Sequence, residues 1–242
     1  IMQQCDCPIL FYDKMQVVGP SGINIERFDE KMKLEQNRRL VTYYSLLTQM
    51  RVNGGNDYIN LVNSILSGKC NQQACLENYD FKVMSDFNRF NNLQQKLEDE
   101  FTLSRMIAGY AWEWKSKKDK SLYDMELDGV KKQWNYRLEN WVLSEGADKQ
   151  VGCIHTIQGF DLNYGFVIMG NEIGYDPESK EIIVRPENYY DQNGRKTASK
   201  EELLEYIKHI YYVLMTRGIK GTYLYICDDN LRKYVSSIIG VI

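Results

Sequence analysis

The sequence lacks the features that define several classes of protein. No apolar run approaches the roughly 20 residues that cross a bilayer, and residues 1–6 do not place a basic region before a hydrophobic one. Lys and Arg total 30 against 33 Asp and Glu, for a formal net charge of -3. With no global positive field, any binding of nucleic acid must rest on a local patch. We expect a cytoplasmic protein without membrane contact.

Metal ligands and disulfide patterns are equally scarce. The six cysteines have spacings that match neither paired Cys-x-x-Cys zinc ligands nor a dense disulfide scaffold. A metal held by Cys5 and Cys7 would need two further ligands, and His155 and His209 are the only histidines. We therefore expect reduced thiols and no metal site.

The sequence does contain enough apolar material for a core. Its 242 residues are 43% hydrophobic and 12% aromatic, which suits one large or two small globular domains. Segments of strand character alternate with helical segments, the pattern of βαβ units in a parallel α/β sheet. The predicted strands cover residues 8–13, 40–47, 81–86, 105–111, 151–156, 165–169 and 222–226.

Capping residues and apolar spacing predict the helices. Ser21 or Asn24 is a candidate N-cap for the first helix, and Asp228 for the last. Ser199 with Glu202 three residues later forms a capping box. Apolar spacing marks two further helices, at 58–66 and 87–101. Residues 112–146 break the rhythm and predict an insertion at one edge of the sheet, and 175–199 predict a hairpin or surface loop.

Four short motifs contain the candidate functional residues. Asp13 and Gln16 follow the first predicted strand, and Arg51 follows the second. An arginine facing a cleft can bind phosphate oxygens through its planar, permanently charged fork. The third motif is His155-Thr156-Ile157-Gln158-Gly159-Phe160-Asp161, and the fourth is Leu214-Met215-Thr216-Arg217-Gly218.

Each motif also has a purely structural interpretation. Asp13 would end a strand with Gln16 solvated, and Arg51 would be a surface arginine. His155 would be a half-buried, hydrogen-bonded histidine at a strand end. A fifth group, Trp112, Trp114 and Lys115, combines aromatic rings with lysines as single-strand binders do. The alternative is that the two tryptophans anchor an edge strand and the lysines behind them face solvent, as charge runs usually do.

In this order the motifs resemble those of the second half of a superfamily 1 helicase. The flanking sequences around Asp13, Arg51, Gly109 and Arg217 are similar to uncharacterised bacterial P-loop ATPases related to the helicase-like part of Schlafen proteins. The resemblance spans almost the whole chain. It implies a RecA-like fold, with residues 1–20 as the end of a first RecA-like domain and 21–242 as the second.

The resemblance also implies roles for individual residues. Gln16 would sense the γ-phosphate of ATP, and Arg51 with the arginine finger Arg217 would stabilise charge on it. Asp161 would reach the ribose, with Gly159 allowing close approach. Gln158 would also bind the nucleotide, and His155 and Thr156 would contact the backbone of single-stranded DNA or RNA.

The first half of such a motor is not in this sequence. No Gly-x-x-x-x-Gly-Lys-Ser/Thr phosphate loop occurs in the 242 residues. ATP and Mg²⁺ would therefore bind only together with an N-terminal RecA-like partner domain, and we expect the isolated chain to be inactive. The alternative is a non-catalytic docking module with a decayed motor fold, which Tyr12 in place of glycine, Asp161 in place of glutamate and the negative charge support. An independent α/β enzyme lacks a nucleophile-base pair.

Overall fold

The computed structural model describes residues 5–23, 25–46 and 48–242, which leaves the alternative cap Asn24 and the end of the predicted strand at Leu47 outside the described residues. The helices are α1 (Ile25–Gln36), α2 (Gly55–Leu66), α3 (Phe87–Phe101), α4 (Ile154–Ile157), α5 (Gln192–Thr197), α6 (Lys200–Met215) and α7 (Asp229–Ile239). The strands are β1 (Asp80–Met84), β2 (Ser104–Ala108), β3 (Met125–Leu127), β4 (Val130–Lys132), β5 (Val151–Gly152), β6 (Leu162–Met169), β7 (Ile173–Asp176), β8 (Glu181–Val184) and β9 (Gly218–Ile226).

The central sheet has five strands in the order β1-β9-β6-β2-β5, all parallel. Strand β6 is buried along nearly its whole length because helices cover both faces of the sheet. Phe166 and Ile168 face the layer of α3, whereas Val167 and Met169 face the layer of α2, α6 and α7. This arrangement confirms the predicted α/β, RecA-like sheet.

The insertion at 112–146 packs against the edge strand β5, as predicted. Trp134 forms an isolated parallel bridge with Val151 of β5 and is fully buried in the α3 layer. The antiparallel pair β3–β4 lies within this insertion. Asp128, at the turn of that pair, accepts a hydrogen bond from the backbone N–H of Phe87 at 2.8 Å, which ties the insertion to the start of α3.

Two predicted strands near the N-terminus are wrong. Neither residues 8–13 nor the described residues 40–46 form a strand. Their apolar side chains face solvent, with Phe11 86% and Leu40 93% exposed, because no neighbouring strand offers a ladder. The 3-10 helix Lys14–Gln16 lies against α6, where His209 Nδ1 is 2.9 Å from the Val17 carbonyl oxygen.

A third predicted strand, at 151–156, is shorter than expected. It ends after two residues because Cys153 and Thr156 form a capping box that starts α4. The other capping predictions are confirmed: Ser199 with Glu202 starts α6, and Asp228 caps α7. The polar stretch at 175–199 contains the hairpin β7–β8 and α5.

None of the helices in the described ranges is long and apolar enough to span a membrane.

Candidate functional site

A cavity of about 150 Å³ lies at the amino ends of β6 and β9. Parallel strands begin at the same edge of a sheet, so the loops that precede β6 and β9 are neighbours. Drug-sized ligands occupy pockets of roughly 300–1,000 Å³, so this cavity suits one part of a ligand, such as a phosphoryl group. The cavity is lined by Asp13, Gln16, Gln49, Arg51, Ile59, Tyr212, Val213, Thr216 and Arg217.

Arg217 is the most distinctive residue of the cavity. Its side chain lies at the turn between α6 and β9, and the residue is only 3% exposed. Nε of Arg217 is buried and has no hydrogen-bond acceptor in the described part of the chain. Burial and the positive charge of Arg51 lower the pKa of Arg217 to about 10, and Asp161 and Asp13 act in the opposite direction. A guanidinium still charged at neutral pH therefore lacks an acceptor for a buried donor.

Arg51 and Asp161 bring two of the sequence motifs together. Arg51 Nε lies 2.6 Å from Asp161 Oδ1, and the two side chains are 38% and 49% exposed. Arg51 comes from the loop before α2, and Asp161 immediately precedes β6. This pair is therefore at the rim of the cavity and is accessible to solvent.

Gln49 fixes the loop that presents Arg51. Its Oε1 accepts hydrogen bonds from the backbone N–H groups of Arg51 and of Val52, the latter at 3.0 Å. Its Nε2 donates to the Val52 carbonyl oxygen at 3.1 Å. Residue patterns single out Arg51 in this segment but not Gln49. The role of Gln49 could have been anticipated from a long amide two residues before a functional turn.

Asp13 and Gln16 also line this cavity. Asp13 Oδ1 accepts from the Met15 N–H at 2.9 Å, and Gln16 Nε2 donates to Asp13 Oδ2 at 2.9 Å. Both side chains remain exposed at the rim. The structure thus places Gln16 beside Arg217, although no strand precedes it.

The third motif is divided between a buried and an exposed part. The Thr156 hydroxyl is buried, accepts from the Cys153 N–H at 2.9 Å and lies 3.0 Å from the Cys153 carbonyl oxygen. It therefore supports α4 from within. His155 is exposed, with its ring centroid 6.0 Å from that of Tyr110, so it is not a half-buried histidine at a strand end.

Gln158 and Gly159 are exposed in the turn after α4. Gly159 has a φ of +86°, which favours glycine, and no atom lies within 4 Å of the position of a Cβ there. An approaching molecule would therefore meet only backbone at this position. Neither residue lines the cavity of Arg217; Asp161 connects their turn to it through Arg51.

Trp112, Trp114 and Lys115 lie away from this cavity. Both tryptophans are half-buried against the α3 layer, and the Trp114 ring centroid is 6.1 Å from that of Trp134. Ser116, between the lysines, is buried and bonds to Asp124 at 2.7 Å. Lys115 is exposed. The tryptophans thus anchor the loop, as the structural interpretation of this group expects.

The charges around the cavity balance one another. Arg51 and Arg217 contribute two positive charges, and Asp13 and Asp161 two negative ones. Across the described ranges, no group of three or more His, Cys, Asp or Glu side chains is placed to hold a metal ion. The arrangement suits binding of an oxyanion by exchange, in which a phosphate replaces a carboxylate as the partner of an arginine.

The parallel RecA-like sheet, with two arginines from loops at one edge, defines a helicase-like domain. Comparison with known families agrees with this class, because the Schlafen group 3 DNA/RNA helicase domain matches residues 1–228. The chain belongs to this family.

A relative in yeast extends the comparison. The chain is 28% identical over 266 aligned residues to the uncharacterized protein YPL245W of Saccharomyces cerevisiae. The alignment covers 96% of this chain and 57% of the yeast protein, so the chain spans little more than half the length of that relative. No solved structure matches the chain.

Proposed function

We propose that this chain is the C-terminal motor domain of a nucleic-acid-dependent ATPase of the superfamily 1 helicase type. In this proposal Arg217 and Arg51 stabilise the charge on the γ-phosphate of ATP bound at a neighbouring domain. The observation that supports the proposal most is Arg217 itself. A buried guanidinium with an unpaired Nε, beside a cavity of about 150 Å³, is a donor without its acceptor.

The other nucleotide contacts follow from the same geometry. Gln16 would sense the γ-phosphate, and its place in the lining of the same cavity as Arg217 supports this role. If the γ-phosphate replaces Asp161 as the partner of Arg51, Asp161 becomes free to accept a hydrogen bond from a ribose hydroxyl. Gly159 and Gln158 lie in the turn before Asp161 and would contact the nucleotide beside it.

Single-stranded DNA or RNA is the proposed second ligand. His155 is the best-placed contact because its ring is exposed at the end of the same motif. Trp112, Trp114 and Lys115 would form a more distant contact through the exposed lysine and the accessible edges of the rings. Thr156 acts indirectly in this proposal, since its hydroxyl shapes α4.

The first RecA-like domain is the proposed partner, with a cytoplasmic location for the whole protein. Apolar side chains between residues 9 and 50 are exposed in a way that a second domain would cover. That domain would also supply the phosphate loop and the Mg²⁺ ligands. The most exposed of these apolar residues are Ile9, Phe11, Leu40, Tyr44, Leu46 and Met50.

Titration of this chain with pyrophosphate tests the arginine site. We expect the NMR resonance of the Arg217 Nε–H, identified by its loss in Arg217→Lys, to shift saturably. Arg185 is a matched control because it is paired with Asp228 at 2.7 Å and does not line the cavity. A shift of Arg185 equal to that of Arg217, or no shift of Arg217, would contradict the proposed site.

A non-catalytic docking module is the alternative function. The internal balance of two arginines by Asp13 and Asp161 favours it, because the site is neutral without any ligand. Under this alternative, pyrophosphate leaves the Arg217 resonance unchanged.

A further inference from the structure

The turn that contains Arg217 is held by a buried network of hydroxyl groups. Tyr58 Oη donates a hydrogen bond to the Met215 carbonyl oxygen at 2.8 Å, two residues before Arg217. Tyr79 Oη donates to the Gly218 carbonyl oxygen at 2.8 Å, one residue after it. The two carbonyl groups that bracket Arg217 are thus fixed by two tyrosines.

Thr222 closes this network. Its Oγ1 lies 2.9 Å from the Met215 carbonyl oxygen and 2.8 Å from Tyr79 Oη. A hydroxyl has one proton to donate and two lone pairs to accept with. Because Tyr79 donates to Gly218, the Thr222 proton can serve either the Met215 carbonyl or Tyr79. Thr222 thus lies within hydrogen-bond distance of both arms, Tyr58–Met215 and Tyr79–Gly218, and its single proton strengthens one of them at a time.

The network joins parts of the chain that are far apart in sequence. Tyr58 belongs to α2, Tyr79 precedes β1 and Thr222 belongs to β9. Tyr58 and Thr222 are fully buried, and Tyr79 nearly so. Phenylalanine in place of either tyrosine, and valine in place of Thr222, would fill the same space without a hydroxyl group. The hydroxyls add directed bonds in a place where an unpaired one would be costly.

Backbone contacts leave this turn little freedom. The Leu162 N–H donates to the Arg217 carbonyl oxygen at 2.9 Å, and the Asn53 N–H donates to the Ile219 carbonyl oxygen at 2.8 Å. A Cβ on Gly218 would lie 2.1 Å from the Gly221 carbonyl oxygen, so the backbone at these two residues approaches too closely for any side chain at position 218. The backbone from which the Arg217 side chain projects is consequently fixed by the hydroxyl groups and these neighbours.

The same network reaches the loop of Arg51. Tyr58 is on α2, and Asn56 at the start of α2 accepts a hydrogen bond from the Gln49 N–H at 3.0 Å. Gln49 in turn holds the backbone of Arg51 and Val52. Helix α2 therefore sets the positions of both arginines relative to each other.

We propose that Tyr58, Tyr79 and Thr222 are positioning residues that hold Arg217 ready for a phosphoryl group. This inference rests on the proposed function, because it concerns how the arginine of that site is aimed. Preorganised donors stabilise a transition state without a reorganisation cost at the moment of reaction, and small misplacements weaken them strongly. The hydroxyls should thus matter more for turnover than for nucleotide affinity.

ATP turnover by the full-length protein with single-stranded nucleic acid tests this inference. We expect Tyr58→Phe and Tyr79→Phe to lower kcat roughly ten- to a hundredfold, with little change in the KM for ATP. Thr222→Val should have a similar effect, and Thr222→Ser should restore kcat because it keeps the hydroxyl. In the 242-residue chain, the Arg217 Nε–H resonance should broaden or shift in the two phenylalanine variants without any ligand.

Tyr211→Phe is the matched control. Tyr211 is fully buried like Tyr58, but its hydroxyl bonds to Glu172 and to the Gly170 N–H, away from the turn of Arg217. It should lose a comparable amount of thermal stability and keep its kcat. If Tyr58→Phe does not fold, the Thr222→Val and Thr222→Ser pair decides the question.

Arg217→Ala distinguishes a failure of the positioning role from a failure of the proposed function. If it abolishes turnover while the tyrosine and Thr222→Val variants keep kcat, the positioning role is wrong and the arginine site stands. An unchanged kcat in Arg217→Ala, or no turnover in the wild type, overturns the proposed function and the positioning role together. Equal losses of kcat in Tyr211→Phe and Tyr58→Phe would assign the effect to general stability.

Discussion

Arg51 Nε lies 2.6 Å from Asp161 Oδ1, and this contact joins the loop before α2 to the loop before β6. Both side chains are more than a third exposed, so solvent screens the pair and its contribution to stability is small. Its main consequence is electrostatic. Asp161 partly neutralises the positive charge that Arg51 and Arg217 would otherwise present together.

Removing the charge of Asp161 should strengthen anion binding. We expect Asp161→Asn to bind pyrophosphate several-fold more tightly, because the arginines no longer have a competing carboxylate. The free energy of unfolding should change by less than about 1 kcal/mol. Glu126→Gln, which breaks an exposed pair with Lys131, is the control and should leave affinity unchanged. Titration calorimetry and urea unfolding measure the two quantities.

ATP binding by the same variant separates the roles of Asp161. If Asp161 also accepts from the ribose, Asp161→Asn should gain less affinity for ATP than for pyrophosphate in the full-length protein. Weaker binding of pyrophosphate by Asp161→Asn would contradict the proposed competition.

The buried charge of Arg217 should lower the free energy of unfolding, whereas that of the buried Arg105 should raise it. Its depressed pKa of about 10 shows that burial disfavours its charge, so Arg217→Met should keep or raise the free energy of unfolding by about 1 kcal/mol. Arg105 is also buried, but it is paired with Glu98 at 2.6 Å and donates to the Val142 carbonyl oxygen. Arg105→Met should destabilise by about 2–3 kcal/mol, since it removes the charged partner of Glu98 and the donor to that carbonyl.

Equilibrium unfolding in urea compares the two arginine variants. A loss of stability in Arg217→Met as large as that in Arg105→Met would show that Arg217 has a stabilising partner, which contradicts the unpaired site.

Glu172 should make stability depend on pH. Burial raises the pKa of this carboxyl from 4.5 to about 7, against the opposing effect of the hydrogen bond from Tyr211. The folded state therefore holds the proton more tightly than the unfolded state between these values. Stability is fully present below about pH 4.5 and is lost as the pH rises through about 7, by up to about 3 kcal/mol.

Glu172→Gln removes this titration. We expect its free energy of unfolding to vary less between pH 5 and pH 8 than that of the wild type, whereas Glu178→Gln, an exposed control, should follow the wild type. Identical pH profiles for Glu172→Gln and the wild type would refute the assignment.

Sequence patterns predict the secondary structure correctly wherever local patterns and burial agree. Strand β6 and helix α6 were predicted because an apolar run and a capping box specify them independently of distant contacts. The apolar runs at 8–13 and 40–46 look the same in sequence but form no strand, because a strand also needs a neighbour with which to pair. Propensity cannot reveal whether that neighbour exists.

The candidate site was predicted only in part for the same reason. The resemblance to superfamily 1 helicases implies that Arg51, Gln16 and Arg217 share one site, and the structure puts all three around one cavity. Gln49 and the hydroxyls of Tyr58 and Tyr79 were missed, since their partners are backbone carbonyls or N–H groups. Such partners depend on tertiary contacts that leave no mark on residue spacing.

ATP hydrolysis by the full-length protein, with and without single-stranded DNA or RNA, is the most direct test of the proposed motor. We expect strand-stimulated turnover that falls by roughly 10³-fold or more in Arg217→Ala, as for an arginine finger. Arg185→Ala, outside the cavity, should retain it. Turnover that does not depend on Arg217 would contradict the assignment of this cavity to the γ-phosphate.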